Sequence, residues 1–271
     1  MRKMEIPFSV KKYRLRYGSI AADLFVDRAW GALHRPLAIF LPGLPDFIGP
    51  TALTTELVRH GVTVLQPHLA GTYDSDGLFS PDGCRDTLRQ TSKAISEGGL
   101  VPAGGSRPLN VEPTKISLIG HSFGGITALR WFGELQGLNS LFFTSAALHY
   151  SRQSPDYGLD EDGRASFESL AASNPHTYRV GDMEAWDPIL TGIDPLPSHP
   201  LGAVSSVKLI YGASDKYFDL DAVRENAPDL VSAYVDVDRG VSLEVVPGAG
   251  HYLPEIVAAR SLEALMPEAL P

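Results

Sequence analysis

Cysteine is almost absent from this chain: Cys84 stands alone among 271 residues. No disulfide can form within the chain, so its core must be held by packing, and a reducing compartment is compatible with that. Long apolar runs are missing too. No stretch of about 18 apolar residues could serve as a membrane span, and the basic start, Met1 to Val10, lacks the apolar region of a secretion signal. The expectation is a soluble, cytoplasmic protein with no membrane partner. Basic charge is in deficit, with 23 Lys and Arg against 32 Asp and Glu and a net charge of −9. A phosphate backbone would be repelled, so nucleic acid is not an expected partner. His34, His60, His68, His149, His176 and His199 show no metal-ligand spacing such as His-Glu-x-x-His. The glycine-rich stretch Gly98 to Pro113 lacks the pattern of a phosphate cradle and reads as a surface loop. No metal and no cofactor are implied.

What is present is a large apolar fraction, 44%, enough for one sizeable core. Lys11 to Tyr17 and Ile20 to Val26 predict a hairpin turning at Gly18-Ser19. Strands and helices then alternate. Pro36 to Leu41 predicts a strand, Thr51 to His60 a helix, Val62 to Gln66 a strand and Asp82 to Ser96 a helix. Strands follow at Ser140 to Thr144, Val207 to Tyr211 and Val241 to Val246, with a helix over Leu220 to Tyr234. This βα rhythm predicts an α/β fold on a mostly parallel sheet with helices on both faces.

The run Lys115 to Thr127, KISLIGHSFGGIT, carries the chemistry. Ile116, Leu118 and Ile119 read as a buried strand and Ile126 to Leu135 as a helix, with Gly120-His121-Ser122-Phe123-Gly124 between them. This is the G-x-S-x-G form of a nucleophile elbow. A serine on so tight a turn is strained, and side chains at the flanking positions would collide with the neighbouring strand and helix, so both are glycine. Gly125 adds close helix packing. The pentapeptide alone arises readily by chance, and its context gives it weight. The VKLIY strand runs into Gly212-Ala213-Ser214-Asp215, which makes Asp215 the candidate acid; Asp219, a turn further on, competes or else caps the following helix. The strand at Val241 to Val246 runs into Pro247-Gly248-Ala249-Gly250-His251, which makes His251 the candidate base. Nucleophile, acid and histidine thus follow in order, each at a strand end. His121, beside the serine, reads as a packing residue.

The arrangement resembles the α/β-hydrolase superfamily across nearly the whole chain. PLAIFL is similar to the third strand of that family, and Pro42-Gly43-Leu44-Pro45 to the His-Gly-x-Pro loop that follows it, with Pro42 in place of the histidine. The resemblance implies an oxyanion hole built from the backbone N–H groups of Leu44 and Phe123, donors that survive side-chain changes. Gly71 to Ser80 also resembles the G-x-x-x-S-x-G loop of peptidase-like and esterase-like members. Serine at position 122 argues against the dehalogenase and epoxide-hydrolase branches, which use a carboxylate nucleophile.

Residues 148–203 are too long for an ordinary connection and predict a cap inserted into a core of residues 1–147 and 204–271. The bland alternative is a solvated excursion. From His149 to Ala203 there are nine Asp or Glu and three Arg, and Tyr150, Tyr157, Phe167, Tyr178 and Trp186 either line a pocket or form the cap's own core. The expected activity is serine hydrolysis of an ester, thioester or amide bond through an acyl-enzyme on Ser122, with neutral, moderately hydrophobic small molecules preferred. An acyltransferase or biosynthetic cyclase using the same triad is the alternative, and a non-catalytic ligand-binding protein on the same fold is a third. Oligomeric state is left open.

Overall fold

The structure, a computed structural model, describes residues 9–27, 34–45, 49–109, 111–148, 163–174, 176–190, 204–232, 235 and 240–271. Its first two strands, β1 (Val10–Tyr17) and β2 (Ile20–Asp27), form the expected antiparallel hairpin. The turn uses Gly18 at φ +56°, a backbone region glycine enters without steric cost. Seven more strands complete one sheet: β3 (Leu37–Leu41), β4 (Thr63–Pro67), β5 (Val101–Pro102), β6 (Ile116–His121), β7 (Leu138–Thr144), β8 (Ser206–Gly212) and β9 (Val241–Val246). The spatial order is β5-β1-β2-β4-β3-β6-β7-β8-β9. From β4 to β9 all neighbours are parallel.

The glycine-rich stretch after residue 97 departs from its expected form as a plain loop. Its Val101–Pro102 segment pairs with β1 as an edge strand, and Leu100 and Val111 are buried against the hairpin. A proline in a strand is tolerated at such an edge, where its missing N–H costs no ladder bond.

Alternation along the parallel strands divides the core in two. Ile39, Leu41, Leu118, Leu141, Phe143, Leu209 and Tyr211 face α2 (Pro81–Ser96), α3 (Phe123–Trp131) and α6 (Leu220–Ser232). Ala38, Phe40, Ile119, Phe142 and Ile210 face α1 (Ala52–Arg59), α7 (Leu253–Ala259) and α8 (Leu262–Leu265). Successive residues of a strand point to opposite faces, so a sheet covered on both sides must be apolar throughout, as these strands are. Two helix starts are capped by hydroxyls: Thr51 Oγ1 accepts from Thr54 N at 3.1 Å, and Ser80 Oγ from Gly83 N at 3.1 Å. The elbow helix ends at Trp131, earlier than expected, and continues as a 3₁₀ turn over Phe132–Glu134.

Topology places the crevice. The chain leaves β3 for β4 on one side and returns to β6 on the other, so the strand order reverses between β3 and β6, and ligands of such sheets bind beyond the strand ends at that point. Leu41 and Gly120 are register partners there, which sets the Pro42 loop beside Ser122.

Of the segment between β7 and β8, the expected cap, residues 163–174 and 176–190 are described; Tyr150, Tyr157 and the rest of 149–162, with 191–203, lie outside the described residues. The described part carries α4 (Gly163–Ser173), a 3₁₀ turn at Met183–Trp186 and α5 (Asp187–Leu190). It is stitched to the loop after β4. Tyr73 N donates to Thr177 O (3.0 Å), Arg179 N to Gly71 O (2.8 Å) and Phe79 N to Arg179 O (2.8 Å). Phe167, Tyr178 and Trp186 are buried with Phe79 and Phe123 in one aromatic cluster whose ring centroids lie 5.0 to 5.8 Å apart. Trp186 is fully buried, so these rings belong to the core that backs the elbow. We therefore expect Trp186→Ala to destabilise the fold by about 3–5 kcal/mol in a urea titration. A loss under about 0.5 kcal/mol is what a solvated excursion would give.

Candidate active site

Ser122 connects β6 to α3 at φ 51°, ψ −119°, a conformation that costs a non-glycine residue about 1–3 kcal/mol. The surroundings hold it there. Ser122 N donates to Thr144 O at 3.1 Å, and Ser122 O accepts from Gly125 N and Ala147 N, both at 2.9 Å. The three glycines answer to separate collisions. A Cβ on Gly120 would lie 2.6 Å from Gly124 O, one on Gly124 2.1 Å from Leu41 O, and one on Gly125 2.3 Å from Ala146 Cβ. Neighbouring Gly43 leaves space in front of the serine: its Cβ would stand 2.9 Å from Ser122 Cβ and 3.4 Å from Oγ. Leu44, the other proposed oxyanion donor, follows in the same loop.

Two further loops meet beside this turn. Gly212 ends β8, and a Cβ there would sit 2.1 Å from Gly250 O; without one, the loops after β8 and β9 lie together. Ala213 N donates to Val246 O (2.9 Å) and Ser214 N to Ala249 O (2.8 Å). That brings His251 Nδ1 to 3.0 Å from Asp215 Oδ2. The Asp215 side chain is fully buried and that of His251 nearly so; Asp215 Oδ1 accepts from Tyr217 N at 3.0 Å. Asp219 is engaged elsewhere: its Oδ1 accepts from Asp221 N (3.0 Å) and Ala222 N (3.2 Å) at the start of α6. Glu255 on α7 braces the histidine loop, accepting from Gly250 N at 2.6 Å.

Several neighbours escaped the sequence reading. The Tyr217 and Phe218 rings stand 4.4 and 5.5 Å from His251, and nothing in the local pattern marks them out. His121 packs its ring 5.3 Å from that of His251, and its Nδ1 donates to Thr144 O at 2.9 Å. Burial first, and the charge of His251 second, hold the His121 pKa down to about 3. Three of the four basic residues of β1 are paired locally, and the fourth, Lys11, lies over the Tyr13 ring at 4.4 Å. Arg14 and Lys12 pair with buried Asp23 at 2.7 and 3.3 Å, Arg14 also meets Asp74, and Arg16 meets Asp76. Three strands separate β1 from β6.

The arrangement places an imidazole anchored by a buried carboxylate beside the elbow that carries Ser122, with the His251 ring 5.3 Å from that of His121. Among the described residues no group of three His, Cys, Asp or Glu could hold a metal ion, and no helix is long and apolar enough to cross a membrane. The model of the alpha/beta hydrolase family matches residues 38–261, and the chain belongs to that family. Similar solved structures include a Pyrococcus furiosus esterase (15% identity, TM-score 0.58, covering 97% of this chain and 90% of that one). Others are an esterase from the archaeon Pyrobaculum calidifontis (16%, 0.58, 98% and 83%) and carboxyl esterase 2 of the fungus Tuber melanosporum (15%, 0.59, 99% and 84%). No curated protein matches the sequence.

The depressed His121 has a consequence for stability. Its folded-state pKa lies below the unfolded value of 6.5, so the unfolded chain binds the extra proton between those values. The stability from a neutral His121 is whole above about pH 6.5 and drains away as pH falls toward 3. Urea midpoints should drop across that window, and His121→Gln should flatten the slope; an NMR titration should find the His121 ring still neutral at pH 5.

Proposed function

We propose that the protein is a serine hydrolase of small carboxylic esters, working through an acyl-enzyme on Ser122. The observation that carries this reading is the 3.0 Å contact between His251 Nδ1 and the buried Asp215 carboxylate, beside a serine held in a strained elbow. The esterases named above are similar in fold and support it. In this mechanism His251 takes the Ser122 proton as Oγ attacks the acyl carbon, and Asp215 holds the imidazole tautomer and stabilises the imidazolium. The Leu44 and Phe123 amides stabilise the oxyanion, each contributing on the order of 3 kcal/mol. The aromatic cluster behind Phe123 keeps that amide in place. His251 then returns the proton to the leaving alcohol and activates the water that releases the acid.

The substrate class follows from charge. The inserted residues are strongly acidic, and Lys12, Arg14 and Arg16 of β1 already face Asp23, Asp74 and Asp76, so those three cations do little to offset repulsion of an anionic substrate. Neutral, moderately hydrophobic esters are preferred, and a cytoplasmic location suits them.

A fluorophosphonate should label Ser122, and Ser122→Ala should abolish both labelling and ester turnover; labelling that persists removes the assignment. Asp215→Asn should cut kcat by a factor on the order of 10⁴ through the wrong histidine tautomer, whereas Asp219→Asn should cost only some stability of α6. A reversed ranking would move the acid to Asp219. For one acyl group, kcat/KM should favour a neutral ester over its coenzyme A thioester at low salt, with the gap closing as salt screens the repulsion. A thioester preference that disappears with salt would reverse the sign of the charge argument.

A further inference from the structure

We propose that His121 positions the water that resolves the acyl-enzyme, accepting the water proton that His251 does not take; this rests on the acyl-enzyme reading of Ser122. The tautomers follow from the partners. His121 Nδ1 faces the carbonyl of Thr144 at 2.9 Å; a carbonyl only accepts, so Nδ1 carries the hydrogen and Nε2 of the neutral ring keeps its lone pair. His251 Nδ1 faces a carboxylate at 3.0 Å, so its Nε2 is bare by the same logic. Two imidazoles therefore present acceptors, with ring centroids 5.3 Å apart and planes inclined at 43°. A water donating to two acceptors at ordinary lengths and a tetrahedral angle spans about 4.6 Å between them, a span comparable to the separation of the two rings.

The ring also approaches the space beside Ser122. The point that a Gly43 Cβ would occupy is 3.6 Å from His121 Cδ2 and 3.4 Å from Ser122 Oγ. His121 is partly accessible, and among the described residues its hydrogen bonds run from Nδ1 to Thr144 alone. Its low basicity keeps Nε2 an acceptor throughout the working pH range.

In the step itself, His251 Nε2 removes one proton from water while its oxygen forms a bond to the acyl carbon. The second proton stays on that oxygen, hydrogen-bonded to His121 Nε2. As the bond from the acyl carbon to Ser122 Oγ breaks, His251 returns its proton to Oγ, and the acid leaves carrying the other. Atoms and charge balance without a co-reactant. An alcohol has one proton on its reacting oxygen and satisfies one acceptor only. His121 thus selects hydrolysis over transfer to alcohols, which bears on the choice between hydrolase and acyltransferase.

The test is a product ratio. A p-nitrophenyl ester is turned over in a fixed concentration of methanol, and free acid and methyl ester are counted. His121→Asn keeps a donor for Thr144 O but ends short of Nε2, and should raise the methyl ester to acid ratio about tenfold, the worth of one such hydrogen bond. Pre-steady-state p-nitrophenol release should change less than about threefold. His121→Gln, which returns an acceptor near the Nε2 position, should bring the ratio back toward wild type, and His121→Phe repeats the loss should the asparagine not fold. An unchanged ratio in Asn or Phe, or equal falls in acylation and deacylation, overturns the proposal. A wild type that neither labels at Ser122 nor transfers acyl groups overturns the acyl-enzyme reading itself.

Discussion

Everything near the candidate site depends on one backbone constraint, the positive φ of Ser122. A strained residue persists only when its surroundings over-determine it, and here both its N–H and its carbonyl are bonded to the strand end and loop of β7. Those bonds require α3 to begin almost in contact with β3 and β7, and the glycines at 120, 124 and 125 permit it. The closest approach, Gly124 against the carbonyl of Leu41, is backbone against backbone and cannot be relieved by a rotamer change. Closeness to β3 brings the Pro42 loop beside the serine, and closeness to β7 brings Thr144 within reach of His121. The strain is thus set against the packing of three strands and a helix.

A second dependence runs through Phe123. It follows the serine, so the same residue carries the N–H next to Ser122 and a ring packed in the core. The ring is packed against Phe79, Phe167 and Trp186, and two of those come from the segment between β7 and β8. Rings packed at 5 to 6 Å add directional contacts to their area burial. Any displacement of this part of the insertion therefore reaches the amide proposed to face the oxyanion. Arg179 adds to the docking by donating to the carbonyls of Tyr73 and Ser75.

Electrostatics partition the molecule. Lys12, Arg14 and Arg16 of β1 are matched locally by Asp23, Asp74 and Asp76, far along the sheet from Ser122. Among the described residues, His251 pairs with the buried Asp215 carboxylate, and four rings stand near it: His121, Tyr217, Phe218 and Tyr252. Burial of the Asp215 side chain strengthens the Asp215–His251 interaction relative to water.

Much of the fold could be read in advance because it is written locally. Strand and helix periods, the Gly18-Ser19 turn and the glycines around Ser122 all act within a few residues of themselves, so order and type of element were legible, as were Ser122, Asp215 and His251 as candidates at strand ends. The short pairing of Val101–Pro102 was not, because a two-residue strand has no period and exists only where β1 offers an edge. The choice between Asp215 and Asp219 was open for a similar reason. Both lie just beyond β8, and only the approach of the β9 loop over Gly212 puts the imidazole against the first, leaving the second to cap α6. His121 likewise needed Thr144, 23 residues away, to set its tautomer, and Trp186 needed Phe79, 107 residues away, to become core. Sequence by itself determined what the backbone does over one turn or one strand, since those preferences are short-ranged; the partner of each side chain was decided by tertiary structure, since contact across the sheet depends on strand order and register that no local pattern contains.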